Sequence, residues 1–304
     1  MIAGLLCLGQ AARAQVTYSS LSVADVFLCT GSPNYENGAD LTGLNFGGAG
    51  TLAIAPASSA KGEFRSVVMF NFSGAVGLFN STYGSNNWMV TSVALKLTSN
   101  YGAEGVEPNN PIFNTINGGQ FVIEWMANTN WAEGTGNPAN PTTDGVTWNS
   151  LPGLLAQAHV PLGTNTYVPP GDNVAVTWPL PLNTNLVNGI TKGGKVAFYF
   201  YAADNQIGYL FNSYNYGRGN EPLLQVTATA VPPLVALTGG YFTNAAFHLI
   251  GVGAPKGTYQ IQMSTPLADG PWLTLGTATA GTNGVIQFSD PAATNAERFY
   301  RISP

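Results

Sequence analysis

An all-β chain, an antiparallel sandwich of jelly-roll type followed by a small immunoglobulin- or fibronectin-like sandwich, is what this sequence predicts. Three observations lead there. Apolar residues recur at period two in one run after another, the segments between them are rich in Gly, Asn, Pro and Thr, and the successive prolines Pro232 and Pro233 separate the longer part of the pattern from a shorter one.

In chain order, the first element is a signal. An apolar run from Ile2 to Leu8 precedes Ala12-Arg13-Ala14, the small-x-small form of a cleavage site, so residues 1–14 read as a secretory signal with Gln15 first in the mature chain. Nothing else approaches the roughly 20 apolar residues of a membrane helix. The expected protein is secreted or held at the cell surface, with no membrane span. Cys7 falls inside the signal, with Leu6 where a lipobox has a small residue, and Cys29 is left without a partner and reads as a buried strand thiol.

Strands with one buried face follow: Phe64, Val68, Phe70 and Phe72; Val93, Leu95 and Leu97; Phe121, Ile123 and Trp125; Val174, Val176 and Trp178; Val196, Phe198 and Phe200. The stretches 99–117 and 128–145 have turn and loop chemistry, and only Leu182, Leu186 and Ile190 suggest a helical turn. The Ala230-Val231-Pro232-Pro233 break places the larger domain at 15–231 and the smaller at 232–304. Five strand-like runs in the latter centre on Phe247, Ile261, Leu273, Ile286 and Tyr300.

Charged residues make up only 8% of the chain, about a third of the usual roughly 25%. Removing Arg13 with the signal leaves 9 basic residues against 15 acidic, a net charge of 9 − 15 = −6. A weakly acidic surface solvated by amides and hydroxyls lacks the basic footprint that nucleic acid or an anionic membrane demands. It suits extracellular polysaccharide, and low charge also favours self-association.

Six stretches in order carry a family resemblance: Ala24-Asp25-Val26-Phe27; Gly50-Thr51-Leu52-Ala53-Ile54; Phe64 to Phe72 with its Arg65-Ser66 start; Val90 to Leu97; Trp131-Ala132-Glu133 with Val146-Thr147-Trp148-Asn149; and Glu221 to Val226. Residues 20–230 thereby resemble the DNRLRE-type β-sandwich family of secreted bacterial proteins, which includes carbohydrate-binding modules appended to polysaccharide-degrading enzymes. Asn71 stands where the family usually has Asp. The tail, with Phe247 to Leu249, Tyr259-Gln260-Ile261 and Arg298 to Ile302, resembles small sandwich modules at the ends of exported bacterial proteins, implying a spacer or sorting role.

A sugar site needs aromatic faces for C–H groups and amides or charges for hydroxyls. The segment from Tyr209 to Asn220 supplies both, which nominates Tyr214, Tyr216 and Arg218 as ligand contacts, against the alternative that its aromatics continue a strand into the core. Trp131 and Glu133 in their polar loop and Trp88 after Ser85-Asn86-Asn87 are further ligand candidates, whereas Trp148 reads as a core plug and Glu63 with Arg65 as a charge pair at the sheet rim. Asp25, Glu36, Asn37 and Asp40 offer oxygens for a structural Ca²⁺, against the reading that they are ordinary turn residues.

Transition-metal chemistry is disfavoured, because the only histidines, His159 and His248, fall in different predicted domains. No Gly-x-Ser-x-Gly elbow is present. Catalysis would require Glu104, Glu107, Glu124, Glu133 and Asp144 to converge, or Tyr214 beside Arg218 as lyase groups. The reading favoured is an exported non-catalytic polysaccharide-binding protein. A self-associating structural or adhesive surface protein stands second, and a polysaccharide lyase or hydrolase third.

Overall fold

The computed structural model describes residues 14–33, 39–100, 118–171, 173–217, 219–231, 235–265, 271–293 and 297–303. The chain divides into two compact units, Ala14–Ala230 and Val231–Pro304. The predicted signal, apart from Ala14, lies outside the described residues, and Gln15 opens the first strand opposite Thr229.

The larger unit contains β1 (Gln15–Cys29), β2 (Thr51–Ile54), β3 (Phe64–Asn71), β4 (Trp88–Thr98), β5 (Gly119–Met126), β6 (His159–Tyr167), β7 (Ala175–Leu180), β8 (Lys195–Ala202), β9 (Tyr209–Asn212) and β10 (Leu223–Ala230). Helices α1 (Ser73–Tyr83), α2 (Leu151–Leu154) and α3 (Thr184–Thr191) lie between strands. All pairings are antiparallel, in the order β6-β5-β8-β3-β1-β10-β4-β7 with a separate β2-β9 ribbon.

The long strand β1 joins two layers: Gln15 to Leu21 pair with β10, Ser22 to Cys29 pair with β3, and the register shifts between Ser22 and Ala24. A bulge there bends one strand out of one sheet and into the next. The layers β1-β10-β4-β7 and β3-β8-β5-β6 give the jelly-roll order. Both outermost strands carry a proline, Pro161 in β6 and Pro179 in β7, which blunts an edge that would otherwise invite further pairing.

Period-two alternation determines what the layers bury. Val68, Phe70, Phe121, Ile123, Phe198 and Phe200 on one side meet Val93, Leu95, Leu97, Trp178, Leu224 and Val226 on the other. The ring of Phe121 meets Trp178 edge-on at 5.4 Å and Phe200 at 6.3 Å, and Tyr167 packs against Tyr209 and Phe211 at 4.6 and 4.9 Å. Each such ring contributes roughly 1.5–3 kcal/mol by burial.

Two further clusters lie outside this core. Val67, Met69, Met126, Ala197 and Tyr199, on the other face of β3, β5 and β8, are covered by Val146, Leu151 and Leu154 from the segment after β5. Phe27, Phe46, Phe64 and Leu210 form another, with Phe27 and Phe46 stacked at 4.7 Å. Cys29 sits in that cluster with no exposed surface, and burial pushes its thiol up to about 12. The folded protein should therefore resist thiol reagents at neutral pH, and reagent uptake by native protein at the rate of the denatured chain would show that this cluster opens.

Helix α1 was not visible in the apolar pattern. It buries Ala75 and Phe79, one turn apart, and Gly84 follows it at φ 87° with its N–H on Asn80 O. Leu186 and Ile190 are indeed the buried face of α3, capped by the Asn183 side chain, but Leu182 precedes the helix and is exposed. Trp148 does not plug the sandwich. It stands half-buried on a 3₁₀ turn outside the main core, with the Arg65 guanidinium 4.7 Å from its ring.

Among the described residues the smaller unit has six strands, β11 (Ala236–Thr243), β12 (Ala246–Val252), β13 (Thr258–Ser264), β14 (Leu273–Thr279), β15 (Val285–Asp290) and β16 (Phe299–Ser303). They form two three-stranded sheets, β11-β12-β15 and β14-β13-β16, around Phe247, Leu249, Tyr259, Ile261, Ile286, Tyr300 and Ile302. Five of the strands correspond to the predicted runs, and β11 is additional.

Candidate functional site

The nominated segment leaves the core where β9 ends. Ser213 Oγ donates to Ala49 O at 2.7 Å and accepts Asn215 N–H at 3.1 Å, which caps a 3₁₀ turn over Tyr214–Tyr216. Gly217, in the left-handed region at φ 68°, ends the turn. The aromatics here do not continue a strand inward: Tyr214 is 48% exposed and Tyr216 half-buried. Arg218 lies outside the described residues.

Buried acid holds this exposed turn. Asp25 on β1 has no exposed surface, and its Oδ2 accepts Tyr214 N–H at 2.8 Å and the Ser22 hydroxyl at 3.0 Å. Its own N–H donates to Glu133 Oε1 at 3.1 Å, which also accepts the Asn215 amide at 2.8 Å. That amide donates to Gly47 O as well, at 2.9 Å. Asp25, Glu133, Tyr214 and Asn215 are thus linked across three segments far apart in sequence.

Asn45, fully buried, locks the loops beneath. Its Nδ2 donates to Glu133 O and Val146 O, each at 2.7 Å, while its Oδ1 accepts from Gly47 N at 3.0 Å and Gly136 N at 3.1 Å. So close an approach requires glycine. A Cβ on Gly134, whose φ is 85°, would stand 2.2 Å from Asn45 Oδ1, and one on Gly136 would stand 2.0 Å from Asn45 O.

The electrostatics are unusual in so weakly charged a chain. Burial pushes Asp25 up to about 7; the Tyr214 N–H opposes that shift and the neighbouring Glu133 charge adds to it. Glu133 is also raised by burial, against the pull of the Asp25 N–H and the Asn215 amide. Among the described residues, Asp25 Oδ1 has no hydrogen-bond partner, and no Lys, Arg or His pairs with either carboxylate.

The other nominated residues are dispersed. Trp131 is half-buried against the Met126 cluster, with its indole N–H enclosed, so it is not an exposed platform. Trp88 lies against Phe79 at 4.9 Å and donates its indole N–H to Asn80 Oδ1 at 2.8 Å. Of the calcium candidates, Glu36 and Asn37 fall outside the described residues, and Asp40 accepts the N–H and hydroxyl of Thr42, which lower its pKa. No group of three or more His, Cys, Asp or Glu able to hold a metal occurs among the described residues.

Of the carboxylates considered for catalysis, Glu104 and Glu107 lie outside the described residues. Asp144 braces Thr135 and Thr142. Glu124 meets His159, and Glu133 meets the Asp25 backbone, so these three have separate partners.

The charge pair of Glu63 with Arg65 is present as expected, but the wider constellation around it was missed. On the face of β3, β8, β5 and β6 turned away from the main core, Arg65 bonds Glu63 and the buried Tyr199 hydroxyl, and the buried Glu124 holds His159 Nδ1. The Tyr201 phenol is raised by burial and by its hydrogen bond to Glu124. The available signal was parity, since each of Arg65, Glu124, Tyr199 and Tyr201 occupies the strand position alternate to a core residue.

No helix among the described residues is long and apolar enough to cross a membrane. No family model matches the chain, and no curated protein sequence does. Solved structures that align with it include Ruminococcus gnavus β-glucuronidase, at 8% identity and a TM-score of 0.21 over 94% of this chain and 40% of that one. Dictyoglomus thermophilum β-D-glucuronidase aligns at 8% identity and a TM-score of 0.21 over 97% and 44%. The chain spans less than half the length of either enzyme.

Proposed function

We propose that the protein is an exported, non-catalytic polysaccharide-binding protein whose larger unit engages glycan at the Tyr214–Tyr216 turn. The observation that carries this reading is the contrast at Tyr214: an exposed ring on a backbone whose N–H is fixed to a fully buried carboxylate. A rigid aromatic face loses little entropy on binding. The neighbouring Asn215 amide spends both of its N–H groups on Gly47 O and Glu133 Oε1, so its Oδ1 and the second Glu133 oxygen serve as acceptors for hydroxyls beside the ring. The sequence resemblance to the DNRLRE-type family supports the same reading, as do the low charge and the amide-rich surface.

The test is retention of the full chain on a panel of neutral and acidic polysaccharides, with reducing ends and unsaturated products quantified and an EDTA arm. Retention without products is expected. Tyr214→Ala should weaken it about tenfold, or ~1.4 kcal/mol, with the melting temperature unchanged because the ring is exposed. Retention on no polymer, accumulation of products, or full retention by Tyr214→Ala would each overturn the reading. Loss of retention with EDTA alone would show a calcium requirement.

A further inference from the structure

We propose that the open edge of β11 in the smaller unit pairs with the same edge of a second copy of this chain, giving a closed two-fold dimer. Strand order supplies the edge: β11 is outermost in β11-β12-β15, and among the described residues no strand pairs with its other side. Thr238 to Thr243 are all exposed, roughly 20 Å of strand whose edge-directed N–H and C=O groups face no other strand among the described residues.

Other outer strands are blunted. Pro161 and Pro179 stand in the outermost strands of the larger unit, and β15 and β16 carry Asp290 and Arg301. β11 has no proline and no charged residue, and it exposes two adjacent rings, Tyr241 at 53% and Phe242 at 58%. The remaining uncharged edge of the smaller unit, β14, exposes Leu273 alone among large apolar side chains, and its Gly276 already has Phe288 3.2 Å from where a Cβ would stand.

Self-complementarity identifies the occupant. A two-fold axis perpendicular to the sheet at Gly240 keeps like faces together, and it sets Tyr241 opposite the second copy's Gly239 and Phe242 opposite its Thr238. On the outer face Tyr241 stacks on His248 at 4.9 Å from the β12 side, which leaves the other side of the ring toward the edge. A Cβ on Gly239 would meet nothing within 4 Å, so the space that a facing ring needs is open. The other face pairs an aromatic with a β-branched residue. Both kinds of pair, a ring over a glycine and a ring against a β-branched side chain, stabilise antiparallel strands, and each occurs twice about the axis.

Charge points the same way: the chain is net acidic, and an uncharged edge is where two copies approach without local repulsion. A single strand pair buries less than the ~1,200–2,000 Å² of a stable interface, so the dimer is weak and reversible. It does not depend on the Tyr214 turn. Sedimentation equilibrium of the full chain across the micromolar range would compare wild type, Gly239→Glu, Tyr241→Thr and Tyr214→Ala, each with its melting temperature. Hydrogen exchange of the β11 amides would be followed at low and high concentration.

Wild type is expected to pass from monomer to dimer as concentration rises, with exchange at Thr238 to Thr243 slowed in the dimer alone. Gly239→Glu should weaken association at least about tenfold by setting a carboxylate against each facing ring, and Tyr241→Thr several-fold. Both should keep the wild-type melting temperature, since Gly239 has open space above it and Tyr241 is exposed, and where Gly239→Glu folds poorly Tyr241→Thr carries the test. Tyr214→Ala should associate as wild type does. A chain that stays monomeric, association unchanged by both β11 variants, loss of association in Tyr214→Ala, assembly beyond a dimer, or a dimer whose β11 amides exchange as fast as in the monomer would each overturn the proposal.

Discussion

Asn45→Ala should lower the stability of the larger unit by about 3–5 kcal/mol, more than any other polar substitution considered. Four hydrogen bonds disappear together, leaving Gly47 N–H, Gly136 N–H, Glu133 C=O and Val146 C=O to find other partners around a site with no exposed surface. Each buried backbone group left unpaired costs ~1–3 kcal/mol, and water admitted into the space recovers part of that. For a unit of this size the melting temperature should fall by roughly 10 °C. The glycan retention proposed for the Tyr214 turn should weaken as well, because Asn45 fixes the loop that carries Glu133. Asn45→Asp separates hydrogen bonding from volume. It keeps an acceptor for the two N–H groups but turns a carboxylate toward two carbonyl oxygens, so it too should be strongly destabilised. A melting temperature within 2–3 °C of wild type for both variants would show that these loops are held by something other than Asn45.

The larger architecture was legible because alternation is a direct record of which face is wet. Phe70, Phe121, Phe198 and Phe200 lie in the core their spacing assigned them. What alternation misses is a strand that buries little. β11 is largely exposed, is interrupted by Gly239 and Gly240, and enters β12 through Asn244-Ala245, both at positive φ, where an Asn-Gly pair would have announced the hairpin. Helix α1 was missed because it buries only Ala75 and Phe79, and its Gly74 and Gly77 lower helix propensity.

The site was legible only in parts. Tyr214 and Glu133 stood out by residue type and loop context, whereas Asp25 was singled out as an oxygen for calcium and not as the support of the turn. Their joining could not be read, because it runs through backbone N–H groups and the Asn215 amide, for which sequence carries no complementary signal. Asn45 was one asparagine among many. The constellation around Arg65 and Glu124 was hidden differently. Arg65, Tyr199, Tyr201 and Glu124 each look like an ordinary solvent-facing strand residue, and only the order of strands in the sheet and the segment that covers Tyr199 bring them together.

Asp25→Asn should raise stability at pH 8 and flatten its dependence on pH. In the folded protein burial holds the Asp25 carboxyl at about 7, while in the unfolded chain it titrates near 3.9. Between those values the native state keeps a proton that the unfolded state has released. The stability this group contributes is therefore fully present below about pH 4 and is lost as pH rises toward 7, the reverse of a salt-bridged aspartate. At ~1.4 kcal/mol per pKa unit the full span is on the order of 4 kcal/mol. Asparagine keeps an oxygen to accept the Tyr214 N–H and Ser22 hydroxyl, and it removes the charge that would otherwise form beside Glu133. Some slope of the same sign should persist, because Glu133 is raised too. The measurement is chemical denaturation of wild type and Asp25→Asn at intervals from pH 4 to pH 8. If the two stability curves run parallel across that range, Asp25 is ionised in the native state, and the buried acid beneath the Tyr214 turn carries its charge by some other compensation.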